Sequence, residues 1–361
     1  MRKVWKGLAV LAAGMTLFTA CGKEDQGAAF AHPSLEPVES ARFSPGKTPS
    51  QRAEELAAMP KNPLTGEPGY PENALDRRPV AVMVNNLNAA LPHRGLSQAD
   101  ILYEVAVEGG ITRMLAVFAD ISSIPSVGPV RSARHYYTDF LVPYNALYVH
   151  FGGSNPGKAA IQNRGVDNID GLIYGATAFT KDNWRAQNRG VEHSYFIDGA
   201  AIQSVAEQRG YSLNGETSAP FAISQKKVEL PQKANSVYVK FSGYTNSEFT
   251  WNPDAGLYEK KRNGEPHIDE NNSQVLQFAN VLVLSTSITS YDGGDLREVA
   301  LGSGNGWFFT GGGYEEINWK KGGYQNQFTF TAKDGSPITG NAGPTFIAII
   351  DQSMVSSVNI Q

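Results

Sequence analysis

Residues 101–119 read ILYEVAVEGGITRMLAVFA, and this stretch decides the fold. Ile101 to Glu108 alternates at period two, and so does Ile111 to Ala119, as half-buried strands do. Gly109-Gly110 between them suits a tight two-residue turn. The stretch is therefore predicted to be a hairpin with Glu108 facing Ile111 and Glu104 facing Leu115. That register sets Arg113 on the same sheet face as both glutamates, diagonal to each. Upstream, Val80–Val84 is a continuous apolar run, which fits a strand buried on both faces.

Further along, Ala133, Tyr136, Tyr137, Phe140 and Leu141 follow helical spacing, with Ser132 as the expected N-cap and Pro143 as the stop. Ala146–Phe151 reads as a strand and 156–164 as a helix with Gly165 just past its end. Asp198 is expected to cap a helix over 199–209, ended by Gly210. After about Leu213 the helical signals stop. Strand-like runs follow at 237–241, 248–252, 257–262, 281–286, 306–310, 327–331 and 345–350, separated by turn pairs such as Asn263-Gly264 and Asp334-Gly335. The fold class is α+β: a mixed α/β domain over 76–214, then a mainly antiparallel β domain over 220–361.

The N-terminus predicts location. Arg2, Lys3 and Lys6 precede an apolar run, Gly7–Phe18, and Thr19-Ala20-Cys21 follows. The run is too short to span a bilayer. Its order is that of a lipoprotein signal peptide over residues 1–20, with Cys21 acylated to become the mature N-terminus. A diacylglyceryl group plus an amide-linked chain (palmitate-type acyls) gives the two or more chains that stable anchoring needs. Residues 21–75 are rich in Pro, Gly, Glu and Ser and read as a disordered tether with a brief helix near 51–59; about 50 such residues reach about 40 Å. Cys21 is the single cysteine, so disulfides and thiol catalysis are excluded.

The chain has 361 residues and a formal charge of −4; losing residues 1–20 removes three cations and no acid, leaving −7. Nothing here attracts nucleic acid, and membrane contact is expected through the lipid alone.

RPVAVMVNN (78–86), the segment 95–118, VGPVRSAR (127–134) and YVHFGGS (148–154) closely resemble the YerB-like family of Gram-positive lipoproteins. NVLVL (280–284), GGG (311–313), INWKK (317–321) and the segment 343–349 are similar to that family's second domain. The resemblance implies two domains of unknown function on a lipid anchor, and no reaction or catalytic residue.

Candidate chemistry falls in three places. Glu104 and Glu108 flanking Arg113 form either a cation-tuned acid/base pair or an internal ion-pair network, and networks are the commoner case. Arg131 and Arg134, at the expected helix N-terminus, suit a carboxylate or phosphate. Alternatively they pair with Glu104, Glu108 or Asp139 inside the fold. Gly152-Gly153-Ser154-Asn155-Pro156-Gly157-Lys158 nearly matches a phosphate-binding loop, but Ala159 replaces the metal-binding hydroxyl and Pro156 lacks an N–H. His150 lies beside it, and no tight metal spacing occurs.

The reading is a non-catalytic, lipid-anchored protein on the extracytoplasmic face of the cell membrane. It is expected to bind an anionic envelope ligand or partner through Glu104, Glu108, Arg113, Arg131, Arg134, His150 and Gly152–Ser154, without a cofactor or metal. The rivals are a cell-wall hydrolase using Glu104 or Glu108, and a protein–protein adaptor with an exposed aromatic patch within 306–324.

Overall fold

Five strands build the first half of the main sheet: β1 (Val80–Asn85), β2 (Ile101–Ala106), β3 (Thr112–Phe118), β4 (Leu147–His150) and β5 (Asn168–Asp170). The computed structural model describes residues 48–361. The signal segment, Cys21 and about half of the tether, residues 21–47, lie outside the described residues.

β2 and β3 pair antiparallel, but Tyr103 rather than Glu104 faces Leu115. The loop holds three residues, Glu108-Gly109-Gly110, and closes with the Val107 N–H on the Ile111 carbonyl at 2.8 Å. Gly109 and Gly110 both take positive φ, 69° and 72°, which a side chain would oppose. The extra loop residue slips the register by one, and a one-residue slip moves a side chain to the other face. Arg113 now faces Val105, and Glu104 faces Met114 on the opposite side of the sheet. The predicted Glu104–Arg113–Glu108 grouping is corrected accordingly.

Among the described residues, eleven strands join in this sheet. From one edge the order is Phe328–Ala332, Gly313–Lys321, Ser303–Thr310, Asn280–Thr286, Thr345–Asp351, β2, β3, β1, β4, β5, with Gln232–Lys233 pairing beside Gly313–Lys321. Thr345–Asp351 is parallel to both of its neighbours, Asn280–Thr286 and β2. The mixed N-terminal half and the mostly antiparallel C-terminal half thus share one sheet, and residues 53–361 form one compact unit.

The alternation of apolar residues fills two cores. Val80, Val82, Val84, Leu102 and Met114 point to one side. There they meet a second sheet, built mainly from Ser236–Lys240, Asn246–Asn252 and Leu257–Arg262, and the helix Gly199–Arg209. Ala81, Met83, Tyr103, Val105 and Leu115 point the other way, against Tyr136, Tyr137, Phe140 and Leu141. This explains the unbroken apolar run of β1, whose six residues are all buried.

The helix Gly199–Arg209 is capped as expected: Asp198 accepts from the Ala201 N–H, and Gly210 follows at φ 67°. The tyrosine-rich helix is shorter than predicted, Tyr137–Leu141. Arg131 and Ala133 give their N–H groups to the carbonyls of Met83 and Gly152, each at 2.9 Å. Backbone spent on strand-like contacts cannot open a helix, so Ser132 is not its cap. The brief helix near 51–59 is present as Pro49–Ala58. The tether is shorter than expected, because Leu64 is fully buried and Asn62 Nδ2 donates to Asp100 Oδ1 at 2.7 Å. Residues 60–75 belong to the folded part.

Candidate functional site

β1, β4 and β5 run parallel, and their carboxyl ends lie side by side. Open α/β sheets bind ligands at such ends. Three arginines gather there. Arg113 donates through Nη1 to the Ser132 carbonyl at 2.7 Å and through Nη2 to Glu108 Oε1 at 2.9 Å. Arg134 donates through Nε to Glu108 Oε2 at 2.9 Å, through Nη2 to Glu108 Oε1, and through Nη1 to the Ala133 carbonyl at 2.8 Å. One carboxylate therefore serves two guanidiniums. Burial alone pushes the Glu108 carboxyl up. The Arg134 hydrogen bond and the charges of Arg113 and Arg134 outweigh that and hold it at about 2. Burial, with Arg134 close by, pushes Arg113 down to about 10.

Arg131 is the third cation. Its backbone is fixed on both sides, by Met83 and by the Phe151 N–H. Its side chain is half-buried, and among the described residues no hydrogen bond or ion pair reaches it. Burial lowers its pKa, with opposing fields from Glu192 and Glu108. Two further groups in this corner lack partners: Arg113 Nε and the Tyr148 hydroxyl are buried without a hydrogen bond.

His150 ends β4, its ring 4.9 Å from that of Tyr148. Its Nδ1 donates to the Gly152 carbonyl at 2.8 Å, and Nε2 lies 3.1 Å from Asn168 Oδ1. Burial lowers its pKa against the pull of Asp170, 3.8 Å away. His150 thus positions the loop. Two of the loop amides are already spent: Gly152 N–H donates to Asp170 Oδ1 at 2.6 Å, and Ser154 N–H to the Ala133 carbonyl at 3.2 Å. The Ser154 hydroxyl accepts from Gly157 N–H at 3.2 Å, as an N-cap. Gly152 and Ser154 therefore shape the site without offering donors, and Gly153 joins them through a bridge to Ala133. A carboxylate at the first loop amide also repels phosphate, so the resemblance to a phosphate-binding loop is sequence-deep only.

Glu104 is absent from this corner. It is fully buried between the two sheets, where Oε1 accepts from Asn86 Nδ2 and Thr112 Oγ1, each at 2.8 Å, and Lys260 Nζ lies 3.7 Å from Oε2. Sequence reasoning missed Lys260, Arg262, His93 and His267, which extend this network. The available signal was the period of two in LYEKKR (257–262), which sets Tyr258, Lys260 and Arg262 on one face, all three buried. Among the described residues, no three His, Cys, Asp or Glu side chains converge as metal ligands.

A family model described as the N-terminal domain of a protein of unknown function (DUF3048) matches residues 64–212, and the model for the C-terminal domain of the same family matches 237–347. The chain belongs to the DUF3048 family. A DUF3048 relative, named "Putative lipoprotein YerB" of Bacillus subtilis (strain 168), is 32% identical over 304 residues, covering 83% of this chain and 88% of that protein. The crystal structure of the Bacillus subtilis YerB protein superposes with a TM-score of 0.74 at 28% identity, covering 84% of this chain and 99% of that one. The N-terminal DUF3048 match begins at Leu64, the first buried residue among those described, and contains the whole arginine corner. Lys260, Arg262 and His267 come from the C-terminal match.

The Glu108 clamp predicts a pH effect. Its folded pKa is depressed, so its contribution to stability is present above the ordinary value of 4.5 and is lost as pH falls towards about 2. Glu108→Gln is expected to lower the urea midpoint at neutral pH and to flatten its decline below pH 4.5. An unchanged acid profile would contradict the clamp.

Proposed function

We propose that this chain is a lipid-anchored protein of the extracytoplasmic membrane face that binds an anionic envelope ligand without catalysis. The export signal ending at Cys21 and the lipoprotein name of the Bacillus subtilis relative support the location. Among the described residues, no helix is long and apolar enough to cross a membrane.

The observation that carries the binding reading is Arg131, a half-buried guanidinium without a partner beside two arginines that share one carboxylate. Taking a charge out of water without a partner is costly, and an incoming carboxylate or phosphate removes that cost. The hydrolase reading finds no support. Glu104 is sealed against Lys260, and Glu108, held at about 2, is ionised at neutral pH and has no proton to give a leaving group. The adaptor reading needs an exposed aromatic patch within 306–324, yet Phe308, Phe309 and Trp319 are buried and Trp307, Tyr314 and Tyr324 are only partly exposed.

The test is native mass spectrometry of the full-length protein released from membranes, wild type against Arg131→Ala. The wild type is expected to carry an acidic ligand, and the variant to bind it about ten- to hundredfold more weakly, the worth of one charge-assisted hydrogen bond. A ligand retained equally by the variant overturns the assignment.

A further inference from the structure

Arg262 ends the strand Leu257–Arg262 and is 5% exposed. Its side chain crosses to the segment that follows β1. Nε donates to Asn86 Oδ1 at 2.8 Å, Nη2 to the Asn86 carbonyl at 2.6 Å, and Nη1 to Asn88 Oδ1 at 2.7 Å. All three acceptors are neutral. A guanidinium has five N–H donors, so two remain. The acid whose field it feels, Glu104, is already engaged with Lys260. Among the described residues Arg262 is thus a desolvated cation with no carboxylate in contact, a costly arrangement that a bound anion would relieve.

Two clefts meet at it, and Asn88 and Arg262 line both. One, of about 330 Å³, is walled by Leu87, Ala89, Ile111 and Tyr244. The other, of about 400 Å³, is walled by Leu91, Pro92, Pro266 and Ile268, with Arg189, Glu265 and His267 adding polar groups. Arg189 stacks on Trp184 at 4.9 Å and donates to the Leu91 carbonyl, and among the described residues no carboxylate pairs with it. Both volumes fall in the range of ligand sites, which are mostly apolar with a few placed polar groups. Tyr244 and Ile268 are 74% and 40% exposed, ready to be covered.

We propose that this seam, distinct from the Arg131 corner, binds an amphiphilic anion: an alkyl or acyl body carrying one carboxylate or phosphate, the acid on Arg262 and the apolar body along the cleft walls. Each DUF3048 half supplies one side, Asn86–Pro92 from the first and Tyr244–Ile268 from the second, so the site requires both.

Isothermal titration of the full-length protein with decanoate and decyl phosphate tests this, with decanol and inorganic phosphate as controls. Both acids are expected to bind and both controls to fail, because acid and chain are needed together. Arg262→Gln is expected to weaken binding about tenfold or more. Should that variant misfold, Ile268→Asp and Tyr244→Ala, both at exposed positions, carry the test and are expected to weaken binding several-fold. Monomeric short-chain phosphatidylglycerol, titrated in a parallel arm because the lipid anchor would hold the protein on any vesicle, separates the sources: binding that Ile268→Asp weakens indicates a lipid, whereas binding of the soluble acids alone indicates a free metabolite. Equal binding of decanol and decanoate, or no effect of any variant, overturns the proposal, as does the absence of binding in every arm. All of these titrations are made in the Arg131→Ala background, which removes anion binding at that corner and keeps the two sites separable.

Discussion

Glu104→Ala or Lys260→Ala, made singly, is expected to cost about 3–5 kcal/mol of folding stability, because each leaves a buried charge without its partner. Both side chains are fully buried between the sheets, 3.7 Å apart. The hydrogen bonds around them run in one direction. His93 Nε2 meets the Asn85 carbonyl at 2.6 Å, so it carries the proton. Burial pushes His93 down to about 3, so the ring is neutral and its Nδ1 accepts from His267 Nε2 at 2.7 Å. His267, also pushed down by burial and by the Lys260 charge, then accepts at Nδ1 from Lys260 Nζ at 3.1 Å. Lys260 donates to Ser247 Oγ at 2.8 Å as well. Removing the ammonium strands His267, Ser247 and Glu104 together.

The double replacement Glu104→Leu with Lys260→Met is expected to cost far less than the two single losses combined, since an apolar pair of similar volume removes both desolvation penalties. Chemical denaturation of the four proteins gives the cycle, and single losses below 1 kcal/mol contradict it. The pH sign follows. Burial pushes Lys260 down to about 8 from 10.5, so between these values the unfolded chain binds the extra proton. The contribution of this residue to stability therefore rises with pH across that window, and Lys260→Met removes the rise.

The second large effect concerns Thr345–Asp351. Phe346, Ile347, Ala348 and Ile350 are fully buried, and Ile349 nearly so. The strand separates β2 from Asn280–Thr286, with five pairs to one and seven to the other. Phe346→Ala is expected to cost about 3–5 kcal/mol, because the ring packs against Phe249 and Phe278. A chain ending at residue 214 is expected not to fold cooperatively, since β2 is left as an unpaired apolar edge. Circular dichroism melts and the dispersion of its NMR amide signals decide this; a sharp melt with dispersed signals shows the N-terminal half to be autonomous.

Local rules read much of this molecule correctly. Val80–Val84 announced burial on both faces, and Asp198 with Gly210 bounded a helix that forms as expected. The hairpin was legible but its register was not. Two glycines fit a two-residue loop as well as the last two residues of a three-residue one, and only long-range packing decides between them. That single residue removed Glu104 from the candidate site and left Glu108, Arg113 and Arg134 in place. The short tyrosine-rich helix was misjudged because Arg131 and Ala133 satisfy their backbones through Met83 and Gly152, partners remote in sequence. Lys260 escaped notice because a lysine in an alternating strand usually reads as solvent-facing.

The seating of Thr345–Asp351 also sets an order of events. Every other strand of the main sheet precedes it in the chain, so a growing polypeptide carries ten of the eleven before the bridging piece emerges. Until then β2 and Asn280–Thr286 have no common neighbour, and contacts of such sequence separation form slowly. The nascent protein therefore stays open at its middle until Thr345–Asp351 is made and seated between β2 and Asn280–Thr286.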